Sequence, residues 1–422
     1  MKAEQIKKGF IDKNYDSLLL DLYEDEDRIE KQNQRYIKML EKYIAYYGND
    51  DVEIYNTPGR SEVCGNHTDH QHGCVVAASV NLDAIAAVSY QKDKVSIISD
   101  QFFLKDIYID DLHLKEDEKG TSEALVRGIL SRFQQLGHQI GGFKAYITSD
   151  VMIGAGLSSS AVFEVMIATI LSGLYNEQKI APEELAKIAQ YAENVYFGKP
   201  CGLMDQCACA FGGLITIDFK DITQPLIENL QIDFSAFHHS LCIVDTKGSH
   251  SDLTDEYAAI PSEMKKVAHF FGKEVLREVD EAAFYEHLCT IKEKCGDRPV
   301  LRAIHYFNEN KRVVQLVEAL KENRFEDFKR IIQLSGNSSF KYLQNVYADA
   351  AHQSMSLALA LSEMILKDNG VCRIHGGGFA GTIQVFVEDA QASIYKEEIE
   401  KIFGDGSCHR LKIRKQGSIR MI

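Results

Sequence analysis

VMIGAGLSSSAVFEVMIATILSGLY, residues Val151–Tyr175, opens with glycines and serines and runs directly into a long apolar helix. Gly154 and Gly156 allow backbone to approach a ligand without a Cβ in the way. Ser158, Ser159 and Ser160 fall where the unsatisfied N–H groups of a helix start point outward. Those groups, with the positive end of the helix dipole, favour phosphate. The hydroxyls add oxygen ligands for a cation riding on it. The same letters also fit a serine-capped buried helix behind a glycine turn, so the decision lies elsewhere in the chain. A Walker A loop is excluded, because no lysine follows the second glycine in the GxxxxGK[ST] frame.

The composition narrows the class. A chain of 422 residues, 45% hydrophobic and 26% charged, reads as globular, with two domains. Its net charge of −15 speaks against nucleic acid or an anionic membrane as a partner, since both are bound through clustered Lys and Arg. The N-terminal MKAEQIKKGF has no apolar signal core, and no run approaches the ~20 apolar residues of a membrane span. Ten scattered cysteines fit reduced thiols rather than a disulfide framework, so the expected setting is cytoplasmic.

In chain order, residues 1–50 show helical periodicity, with Ile29, Tyr36, Ile37, Leu40, Tyr43 and Ile44 spaced as the buried stripe of a covering helix. Val52–Thr57 reads as a short strand that Pro58-Gly59 breaks. A polar cluster, Arg60–Gly73, follows, and then a small, apolar run, Cys74–Val88. A polar loop between two buried strands is where binding residues sit. Its Cys64, His67, His70, His72 and Cys74 match no standard zinc spacing. Its Arg60, His67 and Asp69 can instead hold a polyhydroxylated or phosphorylated ligand by charge-assisted hydrogen bonds. Further on, Leu241–Thr246 reads as a strand and Val313–Leu320 and Phe325–Leu334 as helices. The Gly376–Gly381 loop is followed by strands at Thr382–Val387 and Arg410–Arg414.

Four blocks, in order, carry a resemblance. TPGRSEVCGNHTDHQHG at Thr57–Gly73 resembles the sugar-binding signature of galactokinases, and Gly154–Ala161 resembles the phosphate-binding motif of the wider GHMP kinase superfamily. GLMDQCACAFGG at Gly202–Gly213 is similar to the family's segment bearing the catalytic aspartate. VCRIHGGGFAGTIQVFV at Val371–Val387 looks like the superfamily's C-terminal glycine-rich strand-loop-strand.

The resemblance implies an α+β, two-lobed GHMP kinase fold. Its N-terminal lobe, residues 1–215, would be ribosomal-protein-S5-domain-2-like, and its C-terminal lobe, residues 216–422, ferredoxin-like, with ATP and sugar in the cleft. It implies Asp205 as the base that takes the proton from the anomeric hydroxyl, and Arg60 as the cation that keeps this carboxylate ionised. Gly154, Ala155, Gly156, Leu157, Ser158, Ser159 and Ser160 would hold ATP phosphates. Glu193 would ligate Mg²⁺ together with Ser159 or Ser160. Asn66, His67, Asp69 and Tyr257 would face the sugar.

The signature departs from the family at two places. Asn66 stands where the family has a glutamate for the hydroxyl on C6 of the sugar, and His70 stands where it has tyrosine. An amide can still bind a hydroxyl, and an imidazole can become a cation beside a sugar carboxylate. The expected activity is therefore phosphorylation of galactose at the anomeric hydroxyl by MgATP. A kinase for galacturonate or another C6-altered sugar and a non-catalytic sugar and ATP sensor are the alternatives. The expected assembly is a monomer or weak oligomer.

Overall fold

The computed structural model describes residues 1–100, 103–152, 157–248, 253–347, 349–379 and 381–422. Among these described residues twelve strands form two sheets: β1 (Glu53–Cys64), β2 (Cys74–Gln91), β3 (Lys94–Ser99), β4 (Ile107–Tyr108), β5 (Gly142–Ser149), β6 (Leu214–Asp218), β7 (Leu226–Asn229), β8 (His239–Asp245), β9 (Gly370–His375), β10 (Thr382–Glu388), β11 (Cys408–Leu411) and β12 (Ile419–Arg420). The first sheet runs β12-β1-β2-β5-β3-β4, with β6 on the near end of β2 and β7 beyond it. The expected boundary at residue 215 thus falls inside β6, and the C-terminal strand β12 returns to pair with β1.

Strand β1 does not stop at Pro58-Gly59. It continues to Cys64 against β2, and the register shifts between Pro58 and Gly59. Proline cannot donate to a ladder, and a bulge is where that missing bond does least harm. Arg60–Cys64 therefore belongs to a strand, and only Gly65–Gly73 is loop. Side chains of the first sheet alternate with period two. Tyr55, Ala84, Ala86 and Val88 enter the core around the Ser159–Tyr175 helix, whereas Ile54, Ile85 and Ala87 pack on Tyr36, Met39, Leu40 and Tyr43. The Ser159–Tyr175 helix is buried on nearly every side, as its mostly apolar composition requires. The covering layer expected over residues 1–50 is three helices, Ala3–Ile11, Asp16–Tyr23 and Ile29–Tyr47.

The second sheet is antiparallel, in the order β11-β8-β10-β9. Helices follow β8 and β10, and β9 and β10 form a hairpin, which is the βαββαβ ferredoxin-like arrangement. The Phe325–Ser338 helix packs Phe328, Ile331 and Ile332 against Val371, Phe386 and Leu241 in the same core that holds the first sheet. Arg373 on β9 and Gln384 on β10 reach the end of β1. Arg373 donates to the Glu62 carboxylate at 3.0 Å, and Gln384 donates to Ser61 Oγ at 2.7 Å and the Glu62 carbonyl at 2.9 Å.

A buried ionic knot ties the N-terminal helices to both ends of the first sheet. Asp83 accepts from Arg35 at 2.5 Å and from Asn56 at 2.6 Å, and Arg414 stands 3.3 Å away, with Asp83 and Arg414 fully buried. Removing one partner from such a knot strands the opposite charges away from water. Asp83→Ala should therefore lower the unfolding free energy by about 3–5 kcal/mol in urea denaturation. A change under about 1 kcal/mol would mean that the two arginines find other partners.

Candidate functional site

Arg60 leaves β1 two residues beyond the bulge and meets Asp205 in the first turn of the Met204–Phe211 helix. The contact is bidentate, with Nε to Oδ1 at 2.7 Å and Nη2 to Oδ2 at 2.8 Å. Ser158, in left-handed backbone with φ 52°, hydrogen-bonds both Arg60 and the same aspartate. Burial by itself would raise the Asp205 carboxyl. The adjacent guanidinium and the bonds from Arg60 and Ser158 outweigh it and hold the group below the usual carboxylate range.

Ser159 and Ser160 begin the following helix and line a different cavity of about 350 Å³, with Ser149, Val151, Phe163 and Phe197 among its walls. Leu157 is buried in the core. Gly154, Ala155 and Gly156 lie outside the described residues. The serine run thus splits, with Ser158 on the ion pair and its two successors on the second cavity.

Glu193 is not on a regular helix. The Pro182–Tyr191 helix continues as a π-turn over Ala192–Phe197, which carries Glu193 inward to 3% exposure. Its carboxylate accepts from Lys199 at 3.2 Å and from Gln206 at 2.9 Å, and Gln206 also donates to Glu164 at 3.1 Å. Glu164 is fully buried, and burial, followed by the charge of Glu193, pushes its carboxyl up to about 8. Among the described residues no donor reaches Glu164 Oε1 or Gln206 Oε1. The Glu193 carboxylate, the Glu164 carboxyl and the Gln206 amide oxygen form an oxygen-rich nest whose acceptor set suits a hard divalent cation, which would favour the ionised form of Glu164. Among the described residues no three candidate ligands converge into a cage. Mg²⁺ does not need one, because it takes one or two carboxylates and completes its shell with water and substrate phosphates.

On the other side of Arg60 lies a cavity of about 730 Å³, lined by Arg60, Glu62, His67, Asp69, His70 and the Pro200–Met204 turn among others. His67 Nε2 bonds the Gly377 carbonyl at 3.0 Å, so this nitrogen carries the proton. Asp69 accepts from the His70 N–H at 2.9 Å, and its other oxygen occupies the space above Gly202, where a Cβ would sit 2.5 Å away. Burial raises the Asp69 carboxyl, partly offset by His67. The glycine loop closes the cavity. Gly378, at φ 88°, admits no side chain, since a Cβ would meet the Asn345 carbonyl at 2.0 Å.

Three sequence expectations change at this point. The Asn66 amide is fully buried and saturated. It donates to Glu62 at 3.0 Å and to the Gly376 carbonyl at 2.7 Å, and accepts from Asn345 at 2.8 Å and Ser339 at 3.3 Å. It can reach a sugar hydroxyl only by giving up one of those bonds. Tyr257 stands behind the glycine loop with its hydroxyl on the Gly378 carbonyl at 2.8 Å. His70 is held well below the ordinary imidazole range by burial and by His67 and Lys265, so it is neutral and cannot serve as a cation.

The family described as GHMP kinases N terminal domain matches residues 124–213, and the galactokinase galactose-binding signature matches residues 41–90. A galactokinase of Streptomyces coelicolor is 30% identical over 86% of this chain and 92% of its own length. The chain belongs to the galactokinase family of the GHMP kinases. A galactokinase of Pyrococcus furiosus is also 30% identical, over 81% of this chain and 91% of its own length. The fold matches the crystal structure of Lactococcus lactis galactokinase complexed with galactose at a TM-score of 0.76, with 21% identity over 90% of this chain and 98% of that one. It matches Methanococcus jannaschii mevalonate kinase at 0.62, with 16% identity over 86% and 98%.

Glu62, Glu164, Lys199 and Gln206 escaped the sequence reading. Glu164 did leave a signal, as the acidic residue of an otherwise apolar helix. Glu62 left one too, because it lies two residues from Arg60 and so on the same strand face.

Asp205→Asn should lower kcat by at least ~10²-fold while sugar and nucleotide still bind in calorimetry, and near wild-type turnover would remove Asp205 from the role of base. The depressed carboxyl also fixes a pH profile. In the native protein kcat/KM should hold level down to about pH 5, because the base stays ionised until the pH falls to its lowered pKa. In Arg60→Met burial is opposed only by the Ser158 bond and the charge of Lys199, so the acid limb should move upward in pH, and an unmoved limb would contradict the ion pair's part in it.

Proposed function

We propose that this chain transfers the γ-phosphoryl group of ATP to the anomeric hydroxyl of galactose. The observation that carries the reading is the Arg60–Asp205 ion pair. It stands beside a cavity lined by Glu62, His67 and Asp69 and shares Ser158 with the serine run that opens onto the second cavity. In this reading Asp205 takes the hydroxyl proton as the sugar oxygen attacks, and Arg60 keeps Asp205 anionic beforehand and faces the charge of the transferring group afterwards. The second cavity receives ATP, with Ser159, Ser160 and the glycines before them at its phosphates. Mg²⁺, held by Glu193 with Ser159 or Ser160, would neutralise charge on the phosphates. All ten cysteines are free thiols, which supports a cytoplasmic setting.

The sugar cavity favours a neutral substrate over an acidic one. Glu62 and Asp69 line it, Asp205 stands beside it, and the imidazole that could have balanced a substrate carboxylate is uncharged. A coupled kinase assay with galactose and galacturonate at equal concentration tests the assignment, and preferential phosphorylation of the acid would refute it. The metal assignment has its own check. Glu193→Gln should raise the Mg²⁺ concentration for half-maximal rate several-fold at fixed ATP, and an unchanged Mg²⁺ titration would move the metal away from Glu193.

A further inference from the structure

Phosphoryl transfer as described leaves Glu62 without a task, although its carboxylate lies on the wall of the sugar cavity and its side chain is only 7% exposed. Asn66 and Arg373 both donate to it at 3.0 Å, and both bonds fall on the same oxygen, Oε1. Among the described residues no donor reaches Oε2, and Oε2 is not one of the fully enclosed unpartnered oxygens, so it keeps access to the cavity. Arg373 is fully buried and donates its other Nη to the Val63 carbonyl, so the carboxylate is gripped from behind. A nearly buried carboxylate with one oxygen held and one bare is costly unless something donates to the bare one.

We infer that Glu62 is a specificity-determining residue for the sugar. Its Oε2 accepts a hydrogen bond from a hydroxyl of a neutral sugar, and its charge repels a sugar that carries a carboxylate. Asn66 is then a positioning residue that aims Glu62, which accounts for the saturation of its amide. This inference rests on the galactose kinase reading and adds to it the group that discriminates among sugars. A purely structural role, as a clamp between β1 and β9 through Arg373, makes a different prediction. It lowers Tm and kcat but leaves recognition of individual hydroxyls untouched.

The test measures KM for galactose and for its 2-, 3-, 4- and 6-deoxy analogues in the full-length protein and in Glu62→Gln, with Tm and nucleotide Kd alongside. Glu62→Gln should raise KM for galactose by about 10- to 100-fold, the loss typical of a charged hydrogen bond, and leave nucleotide Kd within about two-fold. For one deoxy sugar, the analogue that lacks the bonded hydroxyl, the substitution should cost nothing further, because the two losses are one interaction. Glu62→Asp keeps the charge for Arg373 but draws the oxygens back from the cavity. It should raise KM for galactose too, and serves if the glutamine variant does not fold. An unchanged galactose KM, or equal penalties across all the deoxy sugars, would overturn the inference while the kinase activity stands. Native protein that neither binds nor phosphorylates galactose would overturn both. Native protein that binds galactose without turnover would overturn the activity alone, and Glu62 is then tested by Kd in the same variants.

Discussion

The antiparallel pairing of β1 with β2 decides where Arg60 and Glu62, two of the charged groups on the wall of the 730 Å³ cavity, can stand. Once Pro58 and Gly59 absorb the register shift, alternation along the strand leaves no choice. Arg60 and Glu62 face the cavity, and Ser61 faces His375 and Gln384 at 3.0 and 2.7 Å. The same strand is the seam between the sheets, because β9 and β10 bond to its last residues. A slip of one residue would turn Arg60 away from Asp205 and offer Ser61 in its place. The Arg60–Asp205 ion pair and the packing of the two sheets are therefore consequences of one register.

Charge burial follows a consistent pattern around that seam. Arg60 is answered by Asp205, Arg373 by Glu62, and Glu309 by Arg312 at 2.7 Å. In each case removal of one member would leave the other in a medium where an isolated charge is untenable. Such pairs add little net stability over apolar packing. Their use here is geometric, since a bidentate guanidinium fixes both the position and the ionisation of the carboxylate it holds. Asp205 shows the result, because the upward push of burial on its carboxyl is outweighed by Arg60 and, after it, Ser158. Glu164 shows the converse. It is buried beside Glu193 with only an amide for company, and its carboxyl rises to about 8.

Much of this was legible in the sequence, and the parts that were not share a cause. The buried, mostly apolar helix after the serine run, the βαββαβ half, the loop bearing His67 and Asp69 and the Arg60–Asp205 pairing could be read from local pattern and family resemblance. Asn66 could not, because its partners Asn345, Ser339 and the Gly376 carbonyl come from segments far along the chain that only the tertiary fold brings to it. Tyr257 was misplaced for the same reason, since its hydroxyl is taken by a backbone carbonyl of the glycine loop. Pro58-Gly59 reads locally as a stop. Only the partner strand, which continues past it, turns the stop into a bulge. Local sequence reports what a residue can do, and burial and distant partners decide what it is left free to do.

The glycine loop takes this last point a step further. The carbonyl of Gly376 accepts from Asn66, that of Gly377 from His67 and Asn345, and that of Gly378 from Tyr257. Each of these three carbonyls thus already has a protein donor, and in the proposed reading the sugar also meets the side-chain carboxylates of Glu62 and Asp69 on the same cavity wall. A polyol is rich in hydroxyl donors, and each donor that meets a preorganised, charged acceptor gains more than it would from a neutral carbonyl. A sugar acid brings an additional anion to the same wall, where opposing cations are already committed to Asp205 and Glu62. Discrimination by charge therefore need not come from any clash of shape. It follows from which acceptors the fold has saturated and which it has left bare.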